Sequence, residues 1–286
     1  MITKSPYLIY DGVILSSDTP LFRTSNRGFR FADGLFETIR FHRGQLLFFA
    51  DHYQRLIRGL AILRFSLAGF PSRHEFEERT VSLINKNRFF GDVRVRITVF
   101  RKGEGLYTPS ELQASWIIET TPLEQTGFQL NEKGLVVGLF EEFPKLPSPV
   151  SAFKTAASHP YILAGLFCKE NHLDDVLLVN GQGKIIESVS SNLFWIKDNF
   201  LFTPGIGSGC IEGVFRKQIL EIAPTMGYKV VETPGATLTE LLNAEELFLT
   251  NSINGIRWIV GLGEHRFYGL KIRELFRQFR KTIPIS

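Results

Sequence analysis

The sequence predicts a two-domain protein of the α/β (α+β) class, with a smaller N-terminal α/β sandwich and a larger C-terminal domain on a partly closed, barrel-like sheet. Three observations predict it. The chain has 286 residues, 44% of them hydrophobic and 26 of them Phe, enough to fill real cores. Strand-like runs alternate with amphipathic helical patterns in both halves. Between the halves, "FPKLPSPVS" (143–151) concentrates residues that break regular structure. We therefore expect an N-terminal domain over 1–122, an interdomain connection over 123–151 and a C-terminal domain over 152–286.

The N-terminal run "YLIYDGVILSS" is strand-like, and "GLFETIRFHRGQLLFF" carries a hairpin turn at Arg43-Gly44. In "FFADHYQRLIRGLAIL" the apolar residues Phe49, Tyr53, Leu56, Ile57, Leu60 and Leu63 recur at helical spacing, with His52 and Arg55 together on a neighbouring face. A second helix is expected over 75–87, then strands at "DVRVRITVF" and "QASWIIETTPL". These should form an antiparallel or mixed sheet with helices on one side. A short strand, "GLVVGLF", lies within the connection. Beyond it come strands at "DDVLLVN", "KIIESVSSNLFWIK", "NFLFTP", "YKVVETP" and "ELFLTN", interrupted by helices over 160–171, 213–226 and 238–246.

Charge and composition exclude several classes. The formal net charge is +4, and the basic residues are scattered except for Lys271, Arg273, Arg277, Arg280 and Lys281. Those five share "YGLKIRELFRQFRKTI" with Ile272, Leu275, Phe276 and Phe279 at helical spacing, so they read as the wet face of a packed helix and not as a nucleic-acid surface. Two cysteines, Cys168 and Cys210, make no disulfide framework and have no metal-ligand spacing with a histidine. No segment reads as a targeting peptide or a membrane span, so a soluble cytoplasmic protein is expected.

Three stretches can carry chemistry. Lys154 sits among small and apolar residues in "SAFKTAASHPYILA", where the ordinary reading is a surface lysine with its stem laid along apolar neighbours. "GIGSGCIEGVFRKQILEIA" sets Gly205, Gly207, Gly209 and Gly213 ahead of a helix. It is either a flexible glycine loop or a phosphate cradle with Val214 and Phe215 donating backbone N–H groups. Glu187 ends an apolar strand, and a buried carboxylate needs a partner. That partner is either a structural cation or a heteroaromatic ring nitrogen that must stay protonated. A lysine for a Schiff base, a carboxylate for a pyridinium and a helix start for a phosphate together make the set that pyridoxal 5′-phosphate requires.

With these residues in this order, the sequence resembles the class IV aminotransferases. These are the fold type IV pyridoxal-phosphate enzymes, among them branched-chain and D-amino-acid aminotransferases and 4-amino-4-deoxychorismate lyases. The resemblance runs over nearly the whole chain, through "NRGFRFADGLFETIR", "DHYQRL", "FKTAASHPYILA", "IIESVSSNLFWIKDNFLFTP" and "GCIEGVFR". It implies that Lys154 is the catalytic lysine bound to the cofactor, that Glu187 faces the ring nitrogen, and that Arg55 and the backbone of Val214 and Phe215 hold the phosphate. It also implies that Asn192 lies beside the cofactor and that Phe36 and Arg40 line the substrate side. Arg96 is the candidate for the substrate carboxylate; Arg94 shares its strand face, and Arg101 competes with it. Asn251 and Ser252 fall in the substrate turn and near the cofactor. No metal is implied.

Two departures stand out. The tyrosine that many family members carry four residues after the lysine is Ser158 here, with Tyr161 a possible substitute, and Phe215 replaces a hydroxyl residue in the phosphate turn. The resemblance implies an amino substrate and a 2-oxo acid as partners and a homodimer as the assembly. Transamination is the leading expectation and deoxychorismate lysis, which releases pyruvate and 4-aminobenzoate, the alternative. The Asn-Ser pair is similar to the lyases, and a strand-ending turn accounts for it equally well. A binding protein that kept the fold is a third reading, opposed by the intact Lys154 and Glu187.

Overall fold

The computed structural model describes residues 5–283; the first four residues of the N-terminal stretch and 284–286 lie outside them. Contacts divide the chain into two units. One runs to Gly127 and takes in Phe153–Ala157, and the other comprises Phe128–Ala152 and the residues from Ser158 onward.

The first unit is a six-stranded antiparallel sheet. Its elements are β1 (Tyr7–Tyr10), β2 (Val13–Ser16), a short α1 (Arg27–Phe31), β3 (Gly34–His42), β4 (Gln45–Leu46), α2 (Phe49–Ile62), α3 (Arg73–Lys86), β5 (Val93–Arg101) and β6 (Ala114–Pro122). The strand order is β2-β1-β6-β5-β3-β4. Period-two alternation in β5 buries Val93, Val95, Ile97 and Val99 on one face. The turn between β3 and β4 holds Arg43 and Gly44 at φ of 45° and 83°, the left-handed pair that a tight hairpin needs. Ser72 caps α3 through a reciprocal capping box with Glu75.

Lys154 enters this unit through main-chain pairing. Phe36 N donates to Lys154 O at 2.8 Å and Ala156 N to Gly34 O at 2.9 Å. Residues 154–156 thereby extend the edge of β3, with Leu35 opposite Thr155.

The second unit contains β7 (Leu135–Lys145), α4 (His159–Glu170), β8 (Asp175–Asn180), β9 (Ile185–Ser188), β10 (Asn192–Lys197), β11 (Phe200–Pro204), α5 (Val214–Ile222), β12 (Lys229–Thr233), α6 (Leu238–Leu242), β13 (Glu246–Asn251), β14 (Gly255–Leu262), β15 (His265–Arg266) and α7 (Leu270–Thr282). Strands pair in the order β10-β13-β14-β7-β8-β9, and β9 pairs back to β10, so these six strands close on themselves. Parallel β11 and β12 continue the sheet outward from β10. The closing contact is the single pair Asn192 with Glu187. Val137, Leu177, Leu193, Leu249 and Ile259 meet in one apolar cluster.

Two expectations shift here. The stretch 123–151 was expected as a connection, yet β7 within it is an interior strand of this sheet, paired with both β8 and β14. The run "KIIESVSSNLFWIK" is two strands, because the chain turns between Ser188 and Ser191, with Ser188 N donating to Ser191 O. Among the described residues, no helix is long and apolar enough to cross a membrane.

Candidate active site

The first unit holds a buried ion cluster and a cationic face. Glu37 lies on the core face of β3, between buried Leu35 and Ile39. α2 brings His52 and Arg55 to it one turn apart: Arg55 donates through Nε at 2.7 Å and Nη2 at 2.6 Å, and His52 Nδ1 lies 2.8 Å from the carboxylate. Burial alone would raise the Glu37 carboxyl, but the Arg55 guanidinium, then the His52 hydrogen bond, hold it at about 2. Burial lowers the His52 imidazole against the opposing pull of Glu37, so it stays neutral and Nδ1 is the donor to the carboxylate. Its Nε2 is buried without a partner.

On the opposite face of β3, Phe36 carries two cations over its ring. Arg96 Cζ lies 3.8 Å and Lys154 Nζ 5.0 Å from the ring centroid. Burial lowers the Arg96 guanidinium, with Glu119 pulling the other way. Arg94 is exposed. Arg101 is tied down by Asp33 at 3.0 Å and by the carbonyls of Arg64 and Leu63, so of the three arginines only Arg96 shares the ring with Lys154.

Arg40, expected to line the substrate side, lies on β3 with its guanidinium in a tight set of partners. It is buried, donates to Asp92 at 2.6 Å, and clamps the carbonyls of Gln125 and Gly127 at 2.5 and 2.7 Å. Asp92 lies 52 residues away and also accepts from Gly127 N.

In the second unit, the barrel closes at Glu187 and Asn192. Glu187 is 2% exposed; Oε1 accepts from Lys145 Nζ at 2.7 Å and from Tyr161 Oη at 2.8 Å, and Oε2 accepts from Ile211 N at 2.8 Å. A carboxylate has about four acceptor positions. Three are filled, and the remaining one, on Oε2, suits one further N–H. Burial, reinforced by the Glu187 charge, pushes the Tyr161 phenol far up, so it is a donor at every working pH.

Asn192, opposite Glu187, donates to Ile211 O at 2.8 Å. Ile211 is therefore held through both its N–H and its carbonyl, which fixes the approach to α5. Gly213 caps that helix without any side-chain hydrogen bond. A Cβ on Gly213 would collide with Asn192 Oδ1, so only glycine keeps this concavity. Helix starts direct unsatisfied N–H groups outward and favour anions. Phe215 is buried, its ring packed on Phe128 and Phe279, so only its backbone can face a ligand at the helix start.

Asn251 shapes its own turn. Its Oδ1 accepts from Ile253 N and Asn254 N, and its Nδ2 donates to Ser191 at 2.9 Å; Ser252 lies half-buried beside it. Ser158 takes the N-cap position of α4. Glu37 and Lys145 went unrecognised in the sequence. Glu37 had a signal: a carboxylate at a buried position of a period-two strand requires a cation. Lys145 had none, because its partner is 42 residues away.

The family model for amino-transferase class IV matches residues 34–261. The chain belongs to the class IV amino-transferase family. Among class IV relatives, the aminodeoxychorismate lyase of Vibrio harveyi is 28% identical over 240 residues, covering 83% of this chain and 86% of its own. The probable branched-chain-amino-acid aminotransferase of Thermotoga maritima is also 28% identical, over 256 residues, covering 89% and 84%. In fold, the chain is similar to the branched-chain aminotransferase of Thermoproteus uzoniensis, with a TM-score of 0.87 over 96% of this chain and 93% of that one at 22% identity. Class IV enzymes use pyridoxal phosphate and catalyse transamination or lysis.

Proposed function

We propose that this class IV enzyme is a pyridoxal-phosphate-dependent aminotransferase acting between an amino acid and a 2-oxo acid. The observation that carries the reading is Glu187, a buried carboxylate at the barrel closure with a single acceptor position left. That position fits a protonated ring nitrogen. The uncapped start of α5, with its glycine-only concavity, fits a phosphate ester.

When bound, the cofactor supplies an electron sink for the bond broken at the substrate α-carbon. Lys154 would hold it covalently and, once displaced by substrate, move the α-proton through Nζ. Glu187 would keep the proton on the ring nitrogen. Arg55, oriented by Glu37, would hold the phosphate together with the N–H groups of Val214 and Phe215. Asn192 supports the phosphate turn through Ile211, Arg96 would take the substrate carboxylate beside Phe36, and the turn at Asn251 and Ser252 would border the site. A homodimer and a cytoplasmic location complete the reading. Sedimentation and fractionation test them.

A second reading, aminodeoxychorismate lyase, is favoured by the Vibrio harveyi relative. The test is the visible spectrum of purified protein loaded with pyridoxal phosphate, followed through a panel of L- and D-amino acids with 2-oxoglutarate, and separately with aminodeoxychorismate. Bleaching and recovery of the cofactor band with an amino acid and 2-oxoglutarate supports the aminotransferase. Turnover of aminodeoxychorismate alone, with pyruvate release, supports the lyase. Lys154→Ala should lose the band while keeping the fold; a band at full strength refutes the assignment of Lys154.

A further inference from the structure

Lys145 ends β7, 42 residues before Glu187, yet its ammonium is the only charged group that touches that carboxylate among the described residues. All three of its donors are committed: to Ser151 O at 3.2 Å, Tyr161 Oη at 2.6 Å and Glu187 Oε1 at 2.7 Å. An ammonium with three fixed acceptors cannot rotate away, and its side chain is only 11% exposed. Tyr161 accepts from Lys145 and donates to Glu187, closing a three-membered ring of hydrogen bonds around one carboxylate oxygen.

We propose that Lys145 is a positioning residue that holds Glu187 in its ionised form and leaves its one open acceptor position aimed at a ring nitrogen. Without the ammonium, Glu187 would be a buried carboxylate facing two neutral donors, Tyr161 Oη and Ile211 N. Such a group takes up a proton in preference to keeping an uncompensated charge. A protonated Glu187 that kept its proton would offer the ring nitrogen only a neutral O–H donor, and the nitrogen would then stay unprotonated. The arrangement serves the reaction through Glu187 and needs no contact of Lys145 with substrate. The ring-nitrogen consequence rests on the functional reading above; the charge of Glu187 does not.

The experiment therefore has two arms. In the apoprotein, difference infrared spectroscopy at neutral pH compares wild type, Lys145→Gln and Lys145→Arg, with Glu187→Gln identifying the Glu187 band. Lys145→Gln should gain a protonated-carboxyl band that wild type and Lys145→Arg lack. In the loaded protein, the nitrogen-15 signal of labelled pyridoxal phosphate reports ring protonation. Lys145→Gln should move it toward the unprotonated form and lower kcat about tenfold or more, with KM changed little and Lys145→Arg restoring both. An ionised Glu187 in Lys145→Gln overturns the proposal, as does an unchanged ring-nitrogen signal. If wild type takes up no cofactor, the functional reading and the ring-nitrogen consequence fail together, while the infrared arm still decides whether Lys145 holds the charge. If Lys145→Gln does not fold, Lys145→Met serves in both arms.

Discussion

Replacing Glu37 with Gln removes the charge that Arg55 and His52 share, without changing the shape of the side chain. The folded carboxyl titrates at about 2, against an ordinary value of 4.5. Between those values the unfolded state binds the extra proton, so the stabilisation is fully present above about pH 4.5 and is lost as pH falls through about 2. The difference corresponds to about 3 kcal/mol at neutral pH. Breaking a buried pair while leaving a guanidinium behind costs about 3–5 kcal/mol by a separate route, which agrees. Guanidinium denaturation of wild type and Glu37→Gln between pH 7 and pH 3, with amide hydrogen exchange across α2 assigning the transition to this unit, measures it. The variant should be less stable by about 3 kcal/mol from pH 7 down to about pH 5, and the gap should close as pH falls further. A gap below about 1 kcal/mol at pH 7, or one that does not change with pH, would refute the reasoning.

Gly213→Ala should weaken pyridoxal-phosphate binding by about 10–100-fold, because the new Cβ displaces Asn192 from the turn that leads into α5; equilibrium titration of the apoprotein checks this, and unchanged affinity counts against the phosphate role of that turn. Arg96→Met should raise KM for the amino substrate by about 10–100-fold with stability nearly unchanged. Arg101→Met should destabilise the fold by about 3 kcal/mol and leave KM alone, because Arg101 is locked to Asp33 and to the end of α2. Steady-state kinetics and denaturation of the two variants separate these outcomes, and the reverse pattern would move the carboxylate role to Arg101.

Much of the fold was legible because its signals are local. The alternation through Val93, Val95, Ile97 and Val99 reads as a half-buried strand without reference to any other part of the chain. Helical spacing placed Leu56 and Leu60 inward on α2 and set His52 and Arg55 together on a neighbouring face, which the structure also buries. Glu187 declared itself in the same way, as one carboxylate in an apolar strand. Arg40 shows the limit. By period two it shares a strand face with Phe36, but Asp92 and the 125–127 carbonyls hold it in a structural clamp. β7 was legible as a short strand inside the connection, but its interior place between β8 and β14 was not, because its partners lie far along the chain.

The sequence by itself determined the run of strands and helices, the class IV motifs and the residues that had to find partners. It could do so because steric preference and solvent exposure act over a few neighbouring residues, and their periods are written in the chain. Tertiary structure alone decided who the partners are: Glu37 for Arg55, Asp92 for Arg40 and Lys145 for Glu187. It alone joined Lys154 to the edge of β3 and closed the barrel at Glu187 and Asn192. Those pairings join groups from 5 to 118 residues apart along the chain. Buried charge must be matched wherever the chain path delivers a counter-charge, and no local pattern records that path.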